Sequence, residues 1–525
     1  METKLFAAAS ALSLVVVTAP ASAQHQHMPG MTMPMPEKLA KKKPAPKKAN
    51  KKSLVKAPAA KPVPLRTQTH APHAASGAAM EPGISMPMDH SDQVTMPMPT
   101  QPSTSSIMPP MDHSNMDHSQ MGQMPMEQMA MDGHAGHAGH MAMKAALGPY
   151  PMERESSGTS WQPDASEHMG LHVMSGDWSL MAHGVLNLVY DHQGGPRGDD
   201  KAFASGMLMG MASRPIGNGT LQFKAMLSPD PLMGKSGYPL LLASGETANG
   251  RDRLIDRQHP HDFFMELSGS LSQNIGPKSS VFLYAGLPGE PAFGPPAFMH
   301  REAIMDSPEA PISHHWVDST HITFGVLTAG LVFDRAKVEV SRFNAREPDQ
   351  RRWNIETGPL DSTSVRLSWN PSRTLSLQGS WAHFKDPEQL EPGVDQKRLS
   401  ASALWANEIA PGWKLAGTLA WGRKTVHGHN DDAYVTEASL KHAGWTLFGR
   451  GEITENRELI DIEDGPAYRV GKVSLGVIRD FKVAEHFSLG VGGLFSLNFV
   501  PDGLVPLYGG QNPTGTMGFV RLKLN

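Results

Sequence analysis

The chain contains no cysteine. That absence removes a disulfide framework, thiolate-bound zinc or iron–sulfur sites, a type-1 copper centre and a cysteine nucleophile. Beyond a short apolar stretch at the N-terminus, there is no run of the roughly 18–20 apolar residues that a membrane-spanning helix needs. Nor does one sign of charge dominate. With 47 Lys+Arg against 51 Asp+Glu the net charge is −4, which speaks against nucleic acid as a partner. Hydrophobic residues make up only 39% of the 525, too few for one packed core throughout. Part of the chain should therefore stay unfolded.

Residues 1–23 read as a secretory signal peptide. Lys4 supplies the positive start, Leu5 to Thr18 the short apolar segment, and Ala21-Ser22-Ala23 the small-residue cleavage site before Gln24. An exported chain without apolar helices can enter a membrane only as strands. Beyond the leader, the chain divides into two parts of different texture.

Residues 24–165 show no hydrophobic periodicity. Twenty of the 33 Met and ten of the 25 His lie between Gln24 and Ser160, mixed with Pro, Ala, Gly and Ser. Proline removes donors and there is almost nothing aromatic to bury, so this part is expected to be a disordered periplasmic tail. Within it, Lys38 to Lys61 carries ten lysines and no acid, a block that repels itself and acts as a spacer.

From Leu171 to Asn525 the pattern changes to period-two alternation broken by turn residues. Phe487, Leu489, Val491, Gly493, Phe495, Leu497 and Phe499 share one face of such a run, with aromatics at its ends. Alternation places about 16 strands, the sixth at 320–333, with tight connections after even-numbered strands and long ones after odd-numbered strands. The extremes are Pro229 to His261 and Gly289 to Ser319. This asymmetry predicts an all-β, transmembrane outer-membrane barrel of antiparallel strands over 171–525, in contact with outer-membrane lipid. It implies a Gram-negative cell, with the tail in the periplasm. The chain ends on Asn525 rather than on the aromatic residue usual at the end of such barrels.

The tail carries repeated soft ligands. Met-Asp-His-Ser occurs at Met88–Ser91 (with His90), Met111–Ser114 (with His113) and Met116–Ser119 (with His118). Met121, Met124 and Met126 come next, then a row of His134, His137 and His140. Thioether sulfur suits Cu(I) and Ag(I), and imidazole suits Cu(II). Thioethers need no deprotonation and keep binding where histidine begins to protonate. Copper, with silver as the second ion, is the expected bound ligand; no organic cofactor is expected.

The stretches Met111-Asp112-His113-Ser114-Asn115-Met116 and Met116-Asp117-His118-Ser119-Gln120-Met121 resemble the repeats of the copper-resistance protein B family. The resemblance implies a periplasm-facing copper-binding tail on an outer-membrane barrel that serves copper tolerance. Periplasmic copper carriers or an efflux system would then be partners. The copy beginning at Met88 departs from the repeat, with Gln93 where its second Met would fall.

A second constellation lies in the long connections. Arg257-Gln258-His259-Pro260-His261-Asp262 leads into the fourth strand, Met299-His300-Arg301-Glu302 and Met305-Asp306 lie in the next long loop, and His314-His315-Trp316-Val317-Asp318 with His321 leads into the sixth strand. These histidines form either a metal site at the mouth or in the lumen, or a polar clamp pinning two loops of about thirty residues. In addition, Met207, Met209 and Met211 share one face of the second strand, and Met181 and His183 lie on the polar face of the first. If those faces are lumenal, a Met/His ladder lines the inner wall.

A globular plug like that of a TonB-dependent receptor cannot form from such a tail, and no hydrolase motif is present, so no enzyme activity is expected. The competing function is a general or substrate-selective diffusion porin in which the histidine loops are structural. Replacing every Met by Ala in a 24–150 fragment should strongly reduce its Cu(I) uptake in a competition titration. Equal uptake by both fragments would remove thioether capture.

Overall fold

Residues 145–167, 170–462 and 465–524 are described by a computed structural model. The signal peptide and the tail ligands from Met88 to His140 lie outside the described residues. Among the described residues the alternation forms nineteen strands: β1 (Leu171–Ser175), β2 (Trp178–Gln193), β3 (Asp200–Ile216), β4 (Gly219–Leu227), β5 (Tyr238–Thr247), β6 (Arg253–Gln258), β7 (Phe264–Gly276), β8 (Ser279–Gly286), β9 (Val326–Phe333) and β10 (Ala336–Phe343). They continue as β11 (Ser362–Ser372), β12 (Leu375–Phe384), β13 (Gln396–Ala410), β14 (Trp413–Val426), β15 (His429–His442), β16 (Trp445–Asn456), β17 (Tyr468–Ala484), β18 (Phe487–Phe499) and β19 (Thr514–Leu524).

Sixteen of these form a closed antiparallel barrel in the order β2, β3, β4, then β7 through β19. The seam is β19 on β2, from Gly515 opposite Gln193 to Leu524 opposite Gly184. Where β19 stops, β1 takes over the same edge of β2, pairing Leu171 with Ala182 and Ser175 with Trp178. The seam edge is thus covered toward the start of β2, and the barrel closes without a terminal aromatic residue.

Two-residue turns follow the even-numbered wall strands, as at Ala443-Gly444, where both central residues have positive φ (47° and 80°), the geometry whose twist matches a hairpin. His427-Gly428, after the eleventh wall strand, has the same geometry (50° and 79°), a departure from the long connection expected there. The sixth wall strand begins at Val326 rather than at 320. His314–Val317 and Ser319–His321 coil into single helical turns instead of extending the strand.

Burial along each strand is inverted relative to a water-soluble protein. On β2, Leu186, Leu188 and Tyr190 are exposed while Asn187 and Asp191 are buried. On β18, Phe487, Leu489, Val491, Phe495 and Phe499 are exposed and Ser496 and Asn498 are buried. An apolar exterior around a polar interior suits lipid outside and polar contents inside. No described helix is long and apolar enough to cross a membrane.

The interior is filled. The β5–β6 hairpin folds in from the β4–β7 connection, with all ten residues of β5 buried. The connection between β8 and β9 also folds inward, and Arg301 anchors it to the wall. Its guanidinium binds Glu437 of β15 through two bonds of 2.7 Å and also pairs with Asp318, all three side chains being nearly inaccessible.

The described end of the tail, from residue 145, is folded as well, correcting the expectation of disorder through residue 165. Ser280 and Ser272 of the wall donate to the carbonyls of Leu147 and Ala146, each at 2.7 Å. Tyr150 and Trp161 stack edge to face at 5.1 Å, Arg154 lies over both rings, and its Nε binds Asp164 at 2.7 Å. These two residues supply aromatic surface to bury, whereas the sequence of residues 24–144 contains no aromatic residue.

Replacing Arg301 with Met would strand the carboxylates of Glu437 and Asp318 without their main partner. A loss of about 3–5 kcal/mol is expected for breaking a buried pair on one side. Denaturant unfolding of the folded barrel in detergent, followed by gel mobility, checks this: an unchanged midpoint would show that the loop is held elsewhere.

Candidate metal centre

The residues around His261, His314 and His321 are organised from their backbone outward. His314 starts a single helical turn, and Asp318 lies four residues on, so its Oδ1 accepts from His314 Nδ1 at 2.8 Å. Three residues later the chain turns again, and the carbonyl of Asp318 accepts from His321 Nδ1 at 2.8 Å. His261 arrives from the other long connection. Asp230 Oδ2 accepts from both its Nδ1 (2.9 Å) and its backbone N–H (3.3 Å).

Every Nδ1 is therefore engaged, and each ring is fixed with Nε2 as its remaining ligand atom. The three Nε2 atoms are buried and without a hydrogen-bond partner. One ring nitrogen from each residue lies within 4.8 Å of the others. The rings of His314 and His321 are 5.2 Å apart and those of His261 and His321 are 5.1 Å apart. Three imidazole nitrogens on one tetrahedral ion at about 2.0–2.1 Å would stand roughly 3.4 Å from one another, so a modest ring rotation closes the set. Imidazoles backed by carboxylate or carbonyl through Nδ1 are the usual support for a metal ligand. Phe298 closes one side, edge-on to His314 at 5.6 Å and nearly parallel to His261 at 6.3 Å.

Burial strips water from the imidazoles and holds the pKa of His321, His259 and His315 well below the ordinary range. Neutral imidazole is the form that binds metal, and for His321 burial favours that form. Unpaired buried Nε2 atoms in a native structure call for a ligand or strain as explanation. The donor set fits copper(II), zinc, cobalt(II) or nickel(II), and three ligands leave a coordination position for exchange.

Of the expected loop ligands, His259 and His315 adjoin this triad without joining it. Their rings are 5.6 Å apart, and His259 is 6.1 Å from His314. His259 Nε2 lies 3.2 Å from Glu246 Oε1 but out of line for a hydrogen bond, and His315 Nδ1 is 3.7 Å from Glu347. Gly245 makes room for His315, since a Cβ there would sit 2.7 Å from its ring. His300, expected with His314 and His315, instead faces His183 of β2 at 6.4 Å. It projects toward that wall because Arg301, the next residue, turns to Glu437 and Asp318.

The sequence groups Asp318 and His321 with His314 and His315 without marking His321 as a ligand, and nothing in it points to Asp230 as a support. A signal is present nonetheless: positions 314, 318 and 321 follow helical spacing, which is lost when the stretch is read as a strand. Glu246 in turn is paired with Arg352, whose other arm reaches Asp262 at 3.1 Å. The same loops therefore carry both ligand-type and clamp-type contacts.

No family model and no curated protein matches the chain. Solved structures do align with it. An anion-selective porin from Comamonas acidovorans is 14% identical, over 66% of this chain and all of that one, at a TM-score of 0.38. OmpF of Salmonella typhi, in a complex with daunomycin, is 10% identical over 67% of this chain and all of that one, at 0.44. OprB of Pseudomonas putida is 11% identical over 66% of this chain and 94% of that one, at 0.44. The barrel itself rests on the strand pairing of this chain.

Cobalt(II) added to the full chain should give the visible band of a tetrahedral nitrogen site, and His314→Gln should abolish that band. Asp230→Asn should weaken cobalt binding about 10–100-fold by loosening His261. An identical titration of wild type and His314→Gln would rule the triad out as a metal site.

Proposed function

We propose that this protein is an outer-membrane transport barrel whose filled lumen selects a transition-metal cation, copper first, at the His261/His314/His321 centre. The observation that carries the reading is the convergence of three buried Nε2 atoms, each on a ring whose Nδ1 is already engaged. A clamp alone would have little reason to leave all three unpaired, since each buried orphan polar atom costs about 1–3 kcal/mol.

Copper is favoured over the other ions because it suits both parts of the chain. The imidazole triad accepts Cu(II), and the Met/His repeats of residues 88–140 suit Cu(I), with silver as an analogue. The resemblance of those repeats to copper-resistance protein B tails points the same way. In this reading the tail gathers the ion in the periplasm and the barrel holds it or passes it on, contributing to copper tolerance. Periplasmic copper carriers or an efflux system remain the proposed partners.

The sixteen-strand architecture favours a second reading, a selective diffusion channel for another small solute, because a barrel of this size has room for an aqueous path. Against a wide general pore stands the burial of the inward-facing side chains. Lys337, Glu339, Arg366, Lys472 and Arg521 are all at most 2% exposed, whereas water would reach such groups in an open channel.

Planar-bilayer recording of the whole protein separates the readings. The metal reading expects a small conductance that copper alters, and that His314→Gln with His321→Gln makes insensitive to copper. A large ohmic conductance indifferent to copper and to those substitutions would establish the diffusion channel. Deleting the gene should lower growth under copper stress, and unchanged tolerance would count against a role in resistance.

A further inference from the structure

Beside the imidazole triad lies a part of the lumen with different donors. Strand register places His183 of β2 directly opposite Met209 of β3, and Met209 directly opposite Met226 of β4. Directly opposed side chains have Cβ atoms about 4.5–5.5 Å apart, so one imidazole and two thioethers stand in a row across three strands. The row faces inward: Met226 is buried, Met209 packs against the same cluster, and Leu208 between the methionines of β3 faces lipid. Met207 joins from β3, and Met299 comes down from the β8–β9 connection.

Two further features point to a ligand rather than to packing alone. His300 stands edge-on to His183 at 6.4 Å, and its Nε2 is buried without a hydrogen-bond partner. A cavity of about 70 Å³ adjoins the row, bordered by His183, Met207 and Met299 and reaching His261 of the triad. Methionine is common filler in irregular cores. Filler has no use for two half-buried imidazoles beside these methionines, one of them with a buried nitrogen that no hydrogen bond engages.

We infer that His183, His300, Met207, Met209, Met226 and Met299 form a second lumenal station that takes a soft monovalent cation, Cu(I) or its analogue Ag(I). Thioether and neutral imidazole are uncharged, so the set suits an ion that binds sulfur covalently and brings a single charge. Asp230, the carboxylate bordering the cavity, is already engaged by His261. Lys523, on the cavity border too, adds a positive charge that disfavours a divalent ion more than a monovalent one. The shared cavity makes His261 the point of contact between a sulfur-rich station and a nitrogen-only one. The inference rests on the reading of the barrel as a metal carrier and names the oxidation state handled at this end.

The test is methyl NMR of the full chain in detergent, labelled at the methionine methyl groups, with single Met→Leu variants assigning each signal. Silver(I) should shift the signals of Met207, Met209, Met226 and Met299, and zinc should leave them in place. His300→Gln should lessen or abolish the silver response. His314→Gln should keep it, so that loss of the cobalt band at the triad and loss of silver at the methionines report on separate sites. Lumenal methionine signals that stay fixed while those of residues 24–144 respond would overturn the inference, as would an equal response to zinc.

Discussion

The arrangement of the lumen depends on one buried junction. Arg301 binds Glu437 on the barrel wall with one edge of its guanidinium and Asp318 with another nitrogen. Asp318 in turn receives His314 on its carboxylate and His321 on its carbonyl. A wall strand is thereby connected to two of the three candidate ligands through a single arginine. In a low-dielectric interior, none of these charges is tolerable alone, so the loop, the helical turns and the ring orientations are specified together. Arg450 adds a further contact to Glu437 at 3.2 Å and keeps its carboxylate in place.

The same constraint explains why the barrel is packed where a wide channel would be wet. Polar side chains facing inward from sixteen strands need partners, and the two long connections and residues 145–167 supply them. Lys337 binds the carbonyl of Thr159, Arg366 binds Glu339 and the hydroxyl of Thr159, and Asn370 binds the carbonyl of Gln162. Filling the lumen buries His321, His259 and His315, and that burial holds the pKa of each well below the ordinary range. The scaffold and the ligand chemistry are therefore not independent features. Loops that satisfy the wall also bury the imidazole nitrogens that would hold an ion.

How much of this is legible in the sequence divides by physical cause. The barrel is, because lipid outside and polar groups inside impose a period of two on every wall strand. Thus Leu186 and Leu188 outside, against Asn187 and Asp191 inside, can be read directly. Burial settles the inward direction of Met207 and Met209, which alternation between glycine, leucine and methionine leaves open. The lumenal filling is not legible. Residues 145–165 share proline, glycine and serine with the stretch before them, and only Tyr150 and Trp161 mark where folding begins. His321 reads as the beginning of a strand, because a seven-residue helical interruption before a long alternating run gives too little periodicity to recognise. The support from Asp230 is a contact between residues 31 positions apart, for which no local pattern exists.

The two donor sets differ in what holds them. Each triad histidine has its Nδ1 bonded to a carboxylate or a carbonyl, which fixes direction and favours an ion of defined geometry. The methionines are held by packing alone, with three rotatable bonds each, and adapt to an ion that imposes little geometry. A rigid nitrogen centre next to a compliant sulfur wall can therefore differ in selectivity while sharing one cavity, His261 being common to both. Passage of an ion between the two proposed stations would exchange a thioether ligand for an imidazole. Such an exchange would leave the walls in place, as suits a closed sheet whose strands are hydrogen-bonded around the full circumference.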